Sequence, residues 1–238
     1  MHYQSNFTQT LTYILFLLIV SSTFTACSTK PLDPDSIELG TTFFPLETGR
    51  YIDYQVEDIQ FTLINDPDTN RYQIRELVAE EFQDINGDPA FRLERFRRAT
   101  ANNTWQLDSV WVAKRSLNQA IVIQSNLPLI KIVFPLEEAK PWDGNILNGL
   151  DQDLYEIANL NRAFAIDTFN FANTLKVIQG NDSSLVSMDK RNEVYAAEVG
   201  LVYKDSTVVT FCTETPDCFT QIESGRKSIQ KVIGYGKQ

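Results

Sequence analysis

Apolar and polar residues alternate along most of this chain with a period of two. In Tyr51-Ile52-Asp53-Tyr54-Gln55-Val56, the residues Ile52, Tyr54 and Val56 stand against polar neighbours, the pattern of a strand with one buried face. Stretches 71–84 and 91–98 share that character on either side of Ile85-Asn86-Gly87-Asp88-Pro89, and Asn-Gly between two such runs predicts an antiparallel hairpin. Further strands are predicted at 105–112, 120–124 and 129–134, then at 174–179, 185–188, 193–197, 200–203 with 208–211, and 228–235. Only 151–162 offers a helical case, from the spacing of Leu154, Ile157 and Ala158. Many strands joined by short turns, with amphipathic helices nearly missing, predict a mainly β fold. The expected form is a single antiparallel, strongly curved sheet, a half-barrel or sandwich, and not a parallel βαβ arrangement.

The N-terminal residues break this pattern. An apolar run from Leu11 to Val20 is about half the length of a membrane-spanning helix, so it suits the core of a signal peptide. Ser21, Ser22, Thr23, Thr25 and Ala26 follow, and Phe24-Thr25-Ala26-Cys27 reads as a bacterial lipobox. The expected organisation is a lipoprotein signal peptide over 1–26, an acylated Cys27 with a tether over 27–40, and a β-rich globular domain over 41–238. The n-region departs from the usual signal in having no Lys or Arg. Residues 28–36, polar and Pro-containing without an apolar period, have the composition of a linker. The predicted membrane partner is reached through this lipid anchor, and Ser28 after the cysteine favours the outer membrane by the sorting habit of enteric lipoproteins.

Removing Cys27 to the lipid leaves Cys212 and Cys218 of three cysteines, an even pair that in an oxidising compartment predicts a disulfide. A redox pair would normally have two intervening residues, and a zinc site would need two more ligands. The only histidine, His2, lies in the predicted signal peptide. The mature chain therefore has no imidazole for a Ser-His-Asp triad, a Cys-His pair or a general base. With no catalytic motif either, the expectation is a protein that is not an enzyme, with carboxylate, Ser-Lys or Tyr chemistry as the routes left open.

No cofactor or metal is predicted. Asp84-Ile85-Asn86-Gly87-Asp88 begins like a calcium loop, but Arg95 stands at the twelfth position where a bidentate Glu belongs, so a hairpin turn is the better reading. A net charge of −10 argues against nucleic acid as a partner. Arg92, Arg95, Arg97 and Arg98 form a local basic cluster whose members alternate between strand faces, with ion pairs to Glu80 and Glu94 expected. Among 15 Phe, 9 Tyr and 3 Trp, the candidates for ligand contact are Trp142, Trp105 and Trp111. Trp105 and Trp111 are six apart and on a regular strand would project from one face, about 20 Å from each other. Trp142, in Pro141-Trp142-Asp143-Gly144-Asn145, is the candidate for an exposed contact.

Several blocks look familiar together. Phe44-Pro45-Leu46 with Thr48-Gly49, the Pro-Trp-Asp-Gly-Asn loop, Tyr195-Ala196-Ala197-Glu198-Val199-Gly200-Leu201-Val202-Tyr203-Lys204, and Ile233-Gly234-Tyr235-Gly236 resemble uncharacterised lipoproteins of Bacteroidetes. Ile52 departs from that pattern, which often has a tryptophan nearby. The resemblance implies a lipobox, a short tether and a β-rich domain, and it implies no activity. It also implies short O-glycosylation sites, which Asp35-Ser36-Ile37 and Asp108-Ser109-Val110 fit. The functional expectation is a membrane-anchored cell-envelope lipoprotein, a non-catalytic binder of a hydrophobic ligand or a scaffold for an envelope protein. The alternative is a carbohydrate-binding or carboxylate-dependent glycan-processing lipoprotein.

Overall fold

Among the described residues the period-two pattern is realised as twelve strands. A computed structural model describes residues 39–63 and 65–238. The first six strands are β1 (Arg50–Phe61), β2 (Asp68–Gln83), β3 (Pro89–Arg98), β4 (Gln106–Arg115), β5 (Gln119–Gln124) and β6 (Leu127–Val133). The second six are β7 (Trp142–Asp143), β8 (Leu154–Ile166), β9 (Phe169–Ser183), β10 (Ser187–Ala196), β11 (Gly200–Phe211) and β12 (Ile222–Lys237). The predicted hairpin around Gly87 joins β2 to β3, with Gly87 at a φ of 83° that the turn requires. The helical case over 151–162 is corrected: this region enters β8, where Asn159 and Asn161 take left-handed conformations and shift the register against β9.

Strand order is β6-β5-β4-β3-β2-β1-β12-β11-β10-β9-β8-β7, with antiparallel pairing between neighbours. Two six-stranded meanders thus meet at a central seam, where β1 and β12 pair from Arg50↔Lys237 to Phe61↔Gly225. The sheet curls into a nearly closed barrel. Its two edges approach one another at Ile130, whose N–H donates to the Gly144 carbonyl (3.0 Å) and whose carbonyl accepts from the Trp142 indole (3.2 Å). Those bonds satisfy backbone groups that an open edge would leave exposed to foreign strands.

Apolar packing supports the closure. Ala120, Ile132 and Phe134 from the first meander bury against Tyr155, Ile157, Leu175, Val177 and Tyr195 from the second. The segment before β1 covers one end of the barrel. Phe43 is buried in this same cluster, Phe44 packs beside Tyr195 with ring centres 6.4 Å apart, and Leu46 packs against Val78, Leu93 and Ala113. Arg115 holds the segment by donating to the carbonyls of Phe44 (2.8 Å) and Thr41 (3.2 Å). The Phe44-Pro45-Leu46 block singled out in the sequence is therefore a plug, and β10–β11, which carries the long Tyr195–Lys204 block, packs against it.

Candidate functional site

Curling a half-buried sheet into a barrel turns alternate side chains of each strand inward, and here they do not fill the interior. A cavity of about 820 Å³ remains, within the range of small-molecule sites. The plug residues Phe44, Pro45 and Leu46 line one end of it. At the other end lie Arg97, Asp108 and Arg226, all exposed, which mark its mouth. Between them the wall carries apolar side chains, among them Val56, Ile74, Val78, Leu93, Val122 and Leu129.

A belt of charge crosses this apolar wall. Glu193 of β10 is 1 % exposed, and its Oε1 accepts from Lys131 Nζ of β6 at 2.7 Å and pairs with Lys204 Nζ of β11 at 3.1 Å. Tyr195 Oη donates to the other oxygen, Oε2, at 2.6 Å. Burial works to raise the Glu193 pKa, but the two ammonium groups and these hydrogen bonds outweigh it and hold the carboxyl well below the usual carboxylate range. Burial pushes the Lys131 ammonium down, with Glu193 opposing. Glu76 of β2 is raised by burial, against the pull of Arg95. Lys131 reaches Glu193 from the edge strand of the opposite meander, so this ion pair spans the line where the barrel closes.

Arg95 of β3 lies 3.4 Å from Glu76 through Nε, yet that buried nitrogen makes no hydrogen bond. Its guanidinium is stacked on Trp111, 3.9 Å from the ring centre. Two residues along the strand, on the same face, Arg97 stacks on Tyr72 at 3.8 Å. Arg226 is held bidentately by Asp58 (2.5 and 2.7 Å).

The residues expected from the sequence are distributed as follows. Cys27 and Ser36 lie outside the described residues. Cys212 and Cys218 form a disulfide across the β11–β12 connection, with Cα atoms 5.6 Å apart. Trp111 lines the cavity. Trp105, by contrast, stacks with Arg98 at 4.0 Å and with Arg75 at 5.1 Å, and Arg75 in turn chelates Asp53 away from the cavity. The expected common face for Trp105 and Trp111 is corrected: an irregularity in the β3–β4 pairing at Arg95/Phe96 breaks the period of two between them. Trp142 is half-buried in β7, with its indole N–H committed to Ile130 and its ring edge-on to Tyr155 at 6.0 Å. Arg92 bridges Glu80 and Glu94 at 3.2 Å each. Asp84 accepts from the backbone of Asn86 (2.8 Å) and Asp88 (3.0 Å) and is paired with Lys114, so its oxygens serve a turn.

Glu193, Lys131, Lys204 and Glu76 did not stand out in the sequence. The available signal was Lys131 inside Leu129-Ile130-Lys131-Ile132-Val133, a cation at the centre of an apolar strand. Its partner is 62 residues away, and pairing at that distance leaves no local trace.

No family model matches the chain, and no curated protein matches it. Among solved structures, it is similar to a predicted lipoprotein from Parabacteroides distasonis, with 9 % identity over 82 % of this chain and 98 % of that one and a TM-score of 0.41. It is also similar to a predicted exported protein with a YmcC-like fold from Bacteroides fragilis, with 11 % identity over 81 % of this chain and 99 % of that one and a TM-score of 0.40. At these values neither likeness bears on function.

Proposed function

We propose that this protein is a non-catalytic lipoprotein of the cell envelope, anchored through Cys27, that holds a small apolar or amphiphilic molecule inside its curved sheet. The observation that carries the reading is the cavity itself: about 820 Å³ of unfilled interior behind a plug, walled by aliphatic and aromatic side chains. A cavity of this size, open at its mouth, leaves apolar wall in contact with water, and an apolar or amphiphilic ligand that displaces that water gains burial.

Native mass spectrometry with organic extraction, on protein carrying Cys27→Ser so that it has no acyl chain of its own, tests this directly. The expected result is a co-purified molecule of less than about 1 kDa with an apolar portion, in keeping with a site of this size. In Leu129→Trp, which projects a larger ring into the cavity from a half-buried position, that molecule is lost while the circular dichroism spectrum keeps its β form. A clean apo mass, together with no binding of added fatty-acid probes by the Cys27→Ser protein with its cavity unblocked, overturns the reading in favour of a scaffold role.

A further inference from the structure

The chain carries ten more acidic than basic side chains, yet the interior of its cavity has the opposite sign. Seven cations line it, Arg50, Arg95, Arg97, Lys131, Lys204, Arg226 and Lys237, against four carboxylates, Glu76, Asp108, Glu193 and Glu198. Outside the lining, Arg50 and Lys237 share Glu47 and Arg226 is paired with Asp58, which still leaves the cations in excess. The excess has two sources. Lys131 and Lys204 share the single carboxylate of Glu193, and Arg97 is paired with no carboxylate among the described residues.

Arg97 is exposed at the mouth and the Lys204 side chain is 40 % exposed, so water solvates them while the cavity is empty, and a ligand body that displaces this water must bring an anion to take its place. The two arginines are set to receive one. Each guanidinium has a face covered by an aromatic ring, Trp111 for Arg95 and Tyr72 for Arg97. Stacking of this kind fixes the plane and leaves the in-plane N–H groups for an acceptor with two oxygens, the geometry of carboxylate and phosphate recognition. The buried Nε of Arg95 has no hydrogen-bond acceptor. Aliphatic wall surrounds this charge on β1, β2, β5 and β6, so a free inorganic anion would leave most of the cavity unfilled.

Resting on the reading of the cavity as a binding site, we infer that its ligand is an acidic amphiphile: a carboxylate or phosphate headgroup held among Arg95, Arg97 and Lys204, with an apolar body against Ile74, Val78, Leu93, Val122 and Leu129.

The test is calorimetric titration of the full chain carrying Cys27→Ser, below micelle-forming concentrations, with four probes: palmitate, palmitoyl-lysophosphatidate, the neutral monopalmitin, and inorganic phosphate. Palmitate or the lysophosphatidate is expected to bind about tenfold or more tightly than monopalmitin, the range of one or two hydrogen bonds to a charged group. Inorganic phosphate should show no saturable heat. In the double variant Arg97→Gln/Lys204→Gln the gap between acidic and neutral chains should close to about twofold, and because Arg97 is exposed the single Arg97→Gln protein serves if the double variant does not fold. Equal affinity for monopalmitin and the acidic chains overturns this inference and leaves the binding role standing. Absence of binding by all three chain-bearing probes overturns both. Phosphate binding as tightly as the lysophosphatidate shows an anion site with no amphiphile. A gap that persists in both variants removes the headgroup from these cations.

Discussion

Glu193 has left water almost completely, and it keeps its charge because two ammonium groups and a phenol converge on its carboxylate. Breaking such a group from one side leaves buried charge uncompensated, which costs more than the intact pair contributes. Glu193→Gln should destabilise the protein by about 3–5 kcal/mol in urea unfolding, and adding Lys131→Met should recover a large part of that loss. The folded pKa of Glu193 lies below its ordinary 4.5. Its contribution is therefore complete above about pH 4.5 and is lost as pH falls through the depressed value. The stability gap between wild type and Glu193→Gln should be wide near pH 6 and narrower near pH 3; a gap that does not change over that range would contradict an ionised, paired Glu193. Glu76, raised by burial, acts in the reverse sense: it favours the fold below its ordinary value and ceases to as pH rises through the folded one. The Glu193 charge is one of the causes that raise it, so Glu193→Gln also relaxes the Glu76 shift.

Among the elements, β8 shows where a local pattern and a real strand part company. Asn159 and Asn161, at φ 55°, occupy the left-handed region that asparagine tolerates better than most residues, and the pairing with β9 skips between Ala158 and Arg162 and again before Phe164. Ahead of these irregularities the strand alternates regularly, with Tyr155 and Ile157 buried and Leu154 exposed, so the helical spacing comes from an apolar residue on the outer face of the strand. On β12, Gly225 adopts φ 119° beside β11, where a Cβ would run into the Val208 carbonyl oxygen, so the strand can cross this point only as glycine. The connection between β11 and β12 is closed by Cys212–Cys218. Its short loop limits the entropic gain to about 2 kcal/mol. Cys212→Ser/Cys218→Ser should unfold at correspondingly lower urea, and reductant should shift the wild-type midpoint to meet the variant's while leaving the variant unmoved.

For the whole molecule, the decisive contact is the seam between β1 and β12, the two strands furthest apart in sequence and central in the sheet. Each meander can form from local hairpins, but neither can bury the Tyr54 ring or Val232 until the seam closes. Pairing over such a separation pays loop entropy before it returns any burial, so refolding should fall in the slow range of β proteins, about milliseconds to seconds. Stopped-flow fluorescence of the three tryptophans would measure it. Deleting residues 229–238 removes most of β12's pairing with β1 and should abolish the near-UV circular dichroism of the native state. A truncated chain with an intact near-UV spectrum would show that the meanders hold the barrel without the seam.

Period-two alternation, the Asn86-Gly87 turn and the scarcity of amphipathic helix by themselves determined a curved antiparallel sheet, because strand faces and tight turns are local properties of the chain. The pairing of Cys212 with Cys218 was legible for the same reason, since only a short loop separates them. Tertiary structure alone decided that the sheet closes at Ile130, that Phe43–Leu46 plugs one end, and that the interior stays open. It also turned Trp105 and Trp111 to different sides through an irregularity that alternation does not encode. The charged belt lay furthest from view. Lys131, Glu193 and Lys204 become neighbours only when β6 meets β10 and β11 across the barrel, and no periodicity within a strand can report a partner brought to it by closure.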